Sequence, residues 1–488
     1  MKKPNIIFIL SDDQGAWALG SAGNNDIITP NLDKLAQNGV RYENFFCASP
    51  VCSPARASIA TGEIPSCHGV IDWLSGGNAD TSKYPYMSDH PHFKKADKPI
   101  EYLENHPLYI AELAKNGYRC ALSGKWHLGN TPQAKEGFEK WFTIFGGGCN
   151  YFNPDFFEDG HFINSTEYVT DAITNKAIDF LHEFTQDETP FYLSVHYTAP
   201  HSPWNREEHK EEYLSLYDNC EFNATPFLPV HKNQIASCPV GDTVEHRREN
   251  LTGYYAAITA MDENIGRILD ELEKSGKADE TIVIFTADNG MNMGHHGIWG
   301  KGNGTYPQNM YDSSVKIPFI ISAPFINQKG TVNNKLRSHL DLFPTLLDVA
   351  NCDYTLNEKQ GGRSFYTELL GEDLGDKTIA IGSEYGQVRM IRTKTKKLII
   401  DLISNNHLYF DIENDPNEDV NLYSDEKYQD EIKSMRNDLD TWFTKYSSEK
   451  CDATQYVVTG RGQDDFCYKE NAFQPQHIFY YDKIAKNK

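Results

Sequence analysis

No stretch of this 488-residue chain comes near the roughly 18 to 20 consecutive apolar residues that a membrane-spanning helix needs. Basic residues are in short supply too: 46 Lys and Arg stand against 69 Asp and Glu, a formal net charge of −23. Nucleic acids and anionic membrane surfaces are bound through clustered Lys and Arg, so neither is an expected partner. Any anionic ligand must be met by a local positive pocket. The ten cysteines are irregularly spaced and contain no Cys-x-x-Cys pair, which removes the usual zinc frameworks. Cys47 and Cys52 lie close enough in sequence to pair, but free thiols are the expectation for a long chain without a recognisable leader. The first ten residues run straight into Ser11-Asp12-Asp13 rather than a small-residue cleavage site, so they read as a buried strand and the location as cytoplasmic. There is no internal repeat.

What the chain does contain is an alternation of short apolar runs and helical periods. Ile6 to Leu10, Tyr118 to Leu122, Phe191 to Val195, Thr281 to Thr286 and Ile317 to Ser322 read as buried strands. Leu32 to Asn38, Leu108 to Asn116, Glu167 to Phe184, Asn250 to Lys274 and Leu342 to Ala350 read as helices, the last capped by Asp341. That order implies an α/β architecture, a doubly wound central sheet. From about Lys377 the texture changes to strands joined by short turns: Thr378 to Ile381, Gln387 to Thr393, Lys397 to Leu402 and His407 to Ile412. A helix over Lys427 to Lys445 follows, and together these read as a smaller antiparallel sheet with a C-terminal helix. The expected division is 1–375 and 376–488. Residues 64–99 and 202–247 read as long loops, and the last forty residues have no clear pattern.

Four of the strands end in chemically related residues: Asp12 and Asp13, Lys125 and His127, His201, and Asp288 with Asn289. Ligands of open α/β sheets bind outside the carboxyl ends of the strands, so these groups should converge. Lys125 and His127 are two apart, which in extended backbone puts both on one face. Asp12, Asp13, Asp288 and Asn289 offer a hard oxygen set suited to Ca²⁺ or Mg²⁺. Arg56, Lys125 and the isolated Lys301 of a glycine-rich loop suit a doubly charged tetrahedral group. The pattern asks for sulfate or phosphate ester chemistry.

Residues 50 to 62, Pro-Val-Cys-Ser-Pro-Ala-Arg-Ala-Ser-Ile-Ala-Thr-Gly, sharpen this. Ser53 suits a helix cap, Pro54 its first helical position and Gly62 its end, with Arg56 one turn on from Cys52. This stretch resembles the signature of the formylglycine sulfatases of the alkaline phosphatase superfamily. The resemblance extends over nearly the whole chain through Gly-Lys125-Trp-His127-Leu-Gly, Ala-Pro-His201, Ala-Asp288-Asn289-Gly and Gly-Lys301-Gly. It implies an alkaline phosphatase-like mixed sheet and a Cys52 oxidised to formylglycine by a maturating enzyme. Calcium would then be held by Asp12, Asp13, Asp288, Asn289 and residue 52. It also implies that Arg56 holds the aldehyde hydrate, Lys125 and Lys301 the sulfate, His127 the second hydroxyl, and that His201 protonates the leaving oxygen. A sulfated saccharide, an N-acetylgalactosamine or galactose sulfate met by an exo-acting pocket, is the expected substrate. His196, His295, His296, Trp204 and Trp299 are candidate substrate contacts, each with a structural alternative. The rival readings are a phosphodiesterase or phosphonate monoester hydrolase, whose members carry Asp-His-Gly where this chain has Asp288-Asn289-Gly290, and an anion-binding module with an unmodified Cys52.

Overall fold

The sequence Asn-Ile-Ile-Phe-Ile-Leu-Ser forms strand β1 (Asn5–Ser11), and every one of its residues is buried. In an extended chain alternate side chains point to opposite faces. Accordingly Ile7 and Ile9 enter one hydrophobic core, while Ile6, Phe8 and Leu10 enter another. Burying such side chains contributes about 1.5 to 3 kcal/mol each, which a strand collects only when both faces are covered. The structure is a computed structural model that describes residues 2–84, 98–372, 381–473 and 478–485.

Strand β1 lies in the middle of an 11-stranded mixed sheet. The others are β2 (Val40–Phe46), β3 (Arg119–Gly124), β4 (Lys140–Ile144), β5 (Asp155–Glu158), β6 (His161–Asn164), β7 (Phe191–His196), β8 (Thr281–Ala287), β9 (Lys316–Ile317), β10 (Phe319–Ser322) and β11 (Thr331–Ser338). The order is β9-β2-β10-β8-β1-β7-β3-β4-β5-β6, with β11 paired to β2. The run β8-β1-β7-β3-β4 is parallel, so its carboxyl ends share one edge. The outer pairs β10 with β8, β4 with β5 and β5 with β6 are antiparallel.

Helices α1 (Pro30–Gln37), α2 (Cys52–Thr61), α3 (Tyr109–Lys115), α4 (Val169–Phe184), α5 (Val244–Lys274) and α6 (Leu342–Val349) accompany this sheet. Helices α4 and α5 supply apolar faces to the core that holds Ile7, and α3 and α6 to the core that holds Phe8. A four-stranded antiparallel sheet follows: β12 (Ile381–Tyr385), β13 (Val388–Arg392), β14 (Lys396–Asp401) and β15 (Leu408–Asp411). Helix α7 (Gln429–Tyr446) covers it with Ile432, Met435, Leu439 and Phe443, a 3.6-period stripe packed on Ile391, Leu398, Ile400 and Tyr409.

Several expectations shift. Asp341 does not cap α6 through its side chain; it accepts from Ser338 N at 2.9 Å and Arg363 N at 2.7 Å, closing the turn before the helix. Helix α5 starts earlier than expected, at Val244, capped by Thr243. Pro318 splits the expected strand of 317–322, since proline has no N–H for the ladder. Most of the expected strand Thr378 to Ile381, and the boundary at 375/376, lie outside the described residues, as does 85–97 of the first long loop. All ten cysteines are free. No described helix is long and apolar enough to cross a membrane.

Candidate active site

Helix α2 begins at Cys52 straight after extended Val51 and ends at Gly62, whose φ of 69° is the left-handed cap. Ser53 does not cap it. Its Oγ accepts from Leu74 N at 3.0 Å, tying the first turn of the helix to the 73–75 segment. Cys52 and Arg56 share a face, one turn apart, and that face meets the carboxyl edge of β1, β3 and β8.

There the strand-end groups converge. Cys52 Sγ lies 3.3 Å from Asp12 Oδ1 and 3.8 Å from Asp13 Oδ1. Lys301 Nζ donates to Asp13 Oδ1 at 2.5 Å and to Cys52 Sγ at 2.7 Å, and Lys125 Nζ donates to Asp12 Oδ2. Arg56 Nε donates to Asp288 Oδ2 at 2.9 Å, and its Nη1 to Lys125 O at 2.9 Å. Asp288 Oδ1 accepts from Asp13 N at 3.1 Å and Asn289 N at 2.8 Å. Asn289 Nδ2 donates to Asp13 Oδ1 at 2.8 Å. The turn that carries Asp13, at a φ of 64°, is braced by Tyr254 Oη on Asp13 O at 2.9 Å.

All of these groups are buried. Burial opposes ionisation of Asp12 and Asp13, but Lys125 and Lys301 respectively outweigh it and hold both carboxyls below their usual range. Burial, then the Asp12 carboxylate, pushes the Cys52 thiol up despite the two lysines, so unmodified Cys52 is a protonated, poorly nucleophilic thiol.

His127 and His201 stand above this floor. His127 has a φ of 59°, so the extended-strand argument for its pairing with Lys125 does not describe the backbone. Its Nε2 is within 3.0 Å of Leu74 O, which assigns the proton to that nitrogen and leaves the buried Nδ1 with no hydrogen-bond partner. Burial, with Lys125 and Arg56 nearby, holds His127 well below the ordinary histidine range, hence neutral. His201 donates from Nδ1 to Ser202 O at 2.7 Å, and its Nε2 lies 3.7 Å from Asp13 Oδ2. Gly147 leaves room for the His127 ring: a Cβ there would sit 2.1 Å from His127 Nε2.

A cavity of about 610 Å³ opens over the cluster, with Asp13, Cys52 and Lys301 at its floor and His127 and His201 on its walls. The walls also include Trp73, Asn78, Asn150, Trp204, Asn303 and Arg461. Of the expected substrate contacts only Trp204 lines this space, with its indole Nε1 bound to Pro200 O at 2.8 Å. His196 is buried behind the floor, its Nδ1 3.1 Å from Lys125 O, and burial takes it down to about 3. His295 and His296 line a separate cavity with Trp17 and Tyr42. Trp299 is a core residue packed against Gly241. The 294–302 loop is no flexible excursion: short paired strands at Asn292–Met293 and Trp299–Gly300 hold it, and Lys301 is buried.

The wall residues that the sequence reading missed sit where it had no periodicity to follow. Asn150 follows Gly146-Gly147-Gly148 between two strands that were not anticipated, β4 and β5, of which only β5 carried a signal, the Asp159-Gly160 turn of its hairpin with β6.

The floor also fits a hard cation. Asp12, Asp13 and Asp288 bring carboxylate oxygens within 4.8 Å of one another, and the buried Oδ1 of Asn289 has no hydrogen-bond partner. These are oxygen donors of the kind Ca²⁺ and Mg²⁺ take. Three carboxylates face three basic groups, Arg56, Lys125 and Lys301, so the floor as it stands has no surplus positive charge for an anionic ester, and a divalent cation would supply it.

Comparison with known proteins agrees with this geometry. A family model described as Sulfatase matches residues 4–352, and one described as N-sulphoglucosamine sulphohydrolase, C-terminal, matches 294–445. An N-acetylglucosamine-6-O-sulfatase of Bacteroides thetaiotaomicron is 28% identical over 94% of this chain and 89% of its own length. An ulvan-active sulfatase of Formosa agariphila is 31% identical over 72% of this chain and 62% of its own. A solved structure in complex with its substrate D-glucosamine-2-N,6-O-disulfate superposes with a TM-score of 0.75 at 24% identity, over 93% of this chain and all of that one. The sulfatase match takes in most of the chain and every residue of the convergent floor, and on it this chain belongs to the sulfatase family, hydrolases of sulfuric esters.

Proposed function

We propose that this sulfatase is an exo-acting enzyme that removes sulfate from a small sulfated saccharide, with residue 52 as a formylglycine installed by a maturating enzyme. The relatives named for N-acetylglucosamine-6-O-sulfate and, in mouse, N-acetylgalactosamine-6-sulfate favour a 6-sulfated N-acetylhexosamine over the galactose alternative. The observation that carries the reading is the setting of Cys52: it lies at the floor of a walled cavity whose size falls in the range of about 300 to 1,000 Å³ that takes small ligands. Asn78, Asn150 and Asn303 offer amides to sugar hydroxyls, and Trp73 and Trp204 offer ring faces.

Asp12, Asp13, Asp288 and Asn289, with residue 52, would hold calcium, which when bound offsets the negative charge of the sulfate ester and polarises one of its oxygens. Lys125 and Lys301 donate to sulfate oxygens from Nζ, and Arg56 orients the hydrate of residue 52. A geminal diol has what a thiol lacks, a second hydroxyl whose deprotonation expels sulfate and returns the aldehyde. His127 takes that proton on its free Nδ1. His201 gives a proton from Nε2 to the departing sugar oxygen while its Nδ1 stays on Ser202 O.

Sulfate release measured by ion chromatography tests the reading on N-acetylglucosamine 6-sulfate, N-acetylgalactosamine 6-sulfate, a disaccharide bearing one of them, and the parent polymer. Faster release per sulfate from the small saccharides is the expected result. Faster release from internal positions of the polymer would overturn it.

A further inference from the structure

The cations at the floor of the cavity are all committed to carboxylates, but one on its wall is not. Lys301 pairs with Asp13 at 2.5 Å and Arg56 with Asp288 at 2.9 Å, and Lys125 is bound to Asp12. Arg461 lines the same cavity, and among the described residues no carboxylate pairs with it. Among the described residues its one side-chain hydrogen bond runs from Nη1 to Ala236 O at 3.2 Å, with the Phe479 ring 6.0 Å from the guanidinium. A guanidinium carries five N–H donors in a planar fork that matches the two oxygens of a carboxylate or sulfate. In a chain of net charge −23, an arginine left without an acidic partner beside an anion-processing floor is conspicuous.

The segment that carries Arg461 is held in place from both sides. Gly460 O accepts from Trp73 Nε1 at 3.0 Å and from Asn303 Nδ2 at 3.2 Å. Gly462 N donates to Asp72 Oδ2 at 3.1 Å. Gln463 bonds Ile71 N through Oε1 at 2.9 Å and Gly69 O through Nε2 at 3.0 Å, and its backbone N bonds Trp73 O at 2.8 Å. Gly460 and Gly462 have φ of 76° and 114°, and a Cβ on them would meet Asn303 Cβ at 2.7 Å and Ser75 Oγ at 2.6 Å. The two glycines let the chain press against the cavity wall while Arg461, between them, projects a side chain. Backbone fixed this closely gives the guanidinium a defined place relative to residue 52.

We propose that Arg461 is a specificity-determining residue that binds a second anionic group on the substrate, a sulfate or a carboxylate, set apart from the sulfate being removed. This rests on the saccharide reading above and narrows it to sugars that carry two negative groups. The floor handles the sulfate ester, and the rim selects what else the sugar bears.

The test compares kcat/KM for three sugars sharing one scissile sulfate: N-acetylglucosamine 6-sulfate, glucosamine bearing N- and 6-sulfates, and a disaccharide of N-acetylglucosamine 6-sulfate with a uronic acid. Wild-type enzyme should favour one of the dianionic sugars over the first, and which of the two it favours identifies the group as sulfate or carboxylate. In Arg461→Met that preference ratio should fall about tenfold or more, through KM, and Arg461→Lys should keep an intermediate ratio. A ratio within one preparation does not depend on how much of the variant is folded. Where N-acetylgalactosamine 6-sulfate is the better substrate, the same series is made on that sugar; wild-type enzyme that acts on neither series would overturn the saccharide reading and this inference with it. Wild-type enzyme that acts on all three without preference, or an Arg461→Met variant with an unchanged ratio, would overturn the inference alone.

Discussion

The floor and the rim of the cavity are built on opposite plans. At the floor, residues from the ends of β1, β3 and β8, the start of α2 and the 294–302 loop are buried and charge-matched: Asp12 with Lys125, Asp13 with Lys301, Asp288 with Arg56. At the rim, Trp73, Asn78, Asn150, Asn303 and Arg461 come from irregular segments scattered from the first hundred residues to the last thirty, and the guanidinium has no acidic partner among the described residues. The floor does one reaction on one group and is fixed by the sheet. The rim meets whatever surrounds that group, and can change without disturbing the sheet.

The contrast is broken most severely at the floor. Cys52→Ala is expected to abolish sulfate release while circular dichroism stays native, because the side chain belongs to the site. Near-normal turnover by a folded Ala variant would sink the mechanism. Asp13→Asn comes next, since asparagine tolerates the left-handed backbone there and the change removes charge alone. It leaves Lys301 buried without its partner, a loss on the order of 3 kcal/mol visible in urea unfolding of metal-free protein, and activity should not return on adding Ca²⁺. Chelation of wild-type enzyme should remove activity that Ca²⁺ restores, and stoichiometric zinc in fully active protein would contradict the oxygen donor set.

Two smaller changes sharpen the boundary between floor and rim. His201→Ala should lose far more on a sugar sulfate than on an aryl sulfate, whose phenolate departs without a proton; equal losses would assign His201 to positioning. At the far end, His295→Ala and His296→Ala should leave kcat/KM within about twofold, because both line a different cavity. The second should cost no more than about 1.5 kcal/mol for its stacking on Tyr311, at a ring separation of 3.8 Å. A tenfold activity loss in either would move these histidines back to the substrate.

The same contrast explains what could be read from the sequence. Strand ends are announced by apolar runs whose period is set by the pleat, so the positions of Asp12, Asp13, Lys125 and Asp288 at the ends of strands follow from the sequence alone. Strand β11 was missed because its sequence, Thr-Val-Asn-Asn-Lys-Leu-Arg-Ser, is half exposed and polar at its start, with an irregular register against β2. Ser53 was misjudged as a cap because a local rule cannot know that Leu74 N would claim its hydroxyl. His196, adjacent to the site in sequence logic, turns behind the floor onto Lys125 O, and only tertiary packing decides that. Arg461 had no signal at all: it sits between two glycines in a tail without periodicity, and its partner surface at Asp72 to Ser75 is nearly 400 residues away in the chain.

The claim on which everything else rests is that residue 52 is the reacting group. Mass spectrometry of the peptide containing Cys52, taken from enzyme of measured specific activity, addresses it directly. The account predicts a peptide in which the thiol's sulfur and two hydrogens are replaced by one oxygen, with activity proportional to the modified fraction across preparations made with and without the maturating enzyme. Full sulfate release from protein in which Cys52 is entirely unmodified would contradict it.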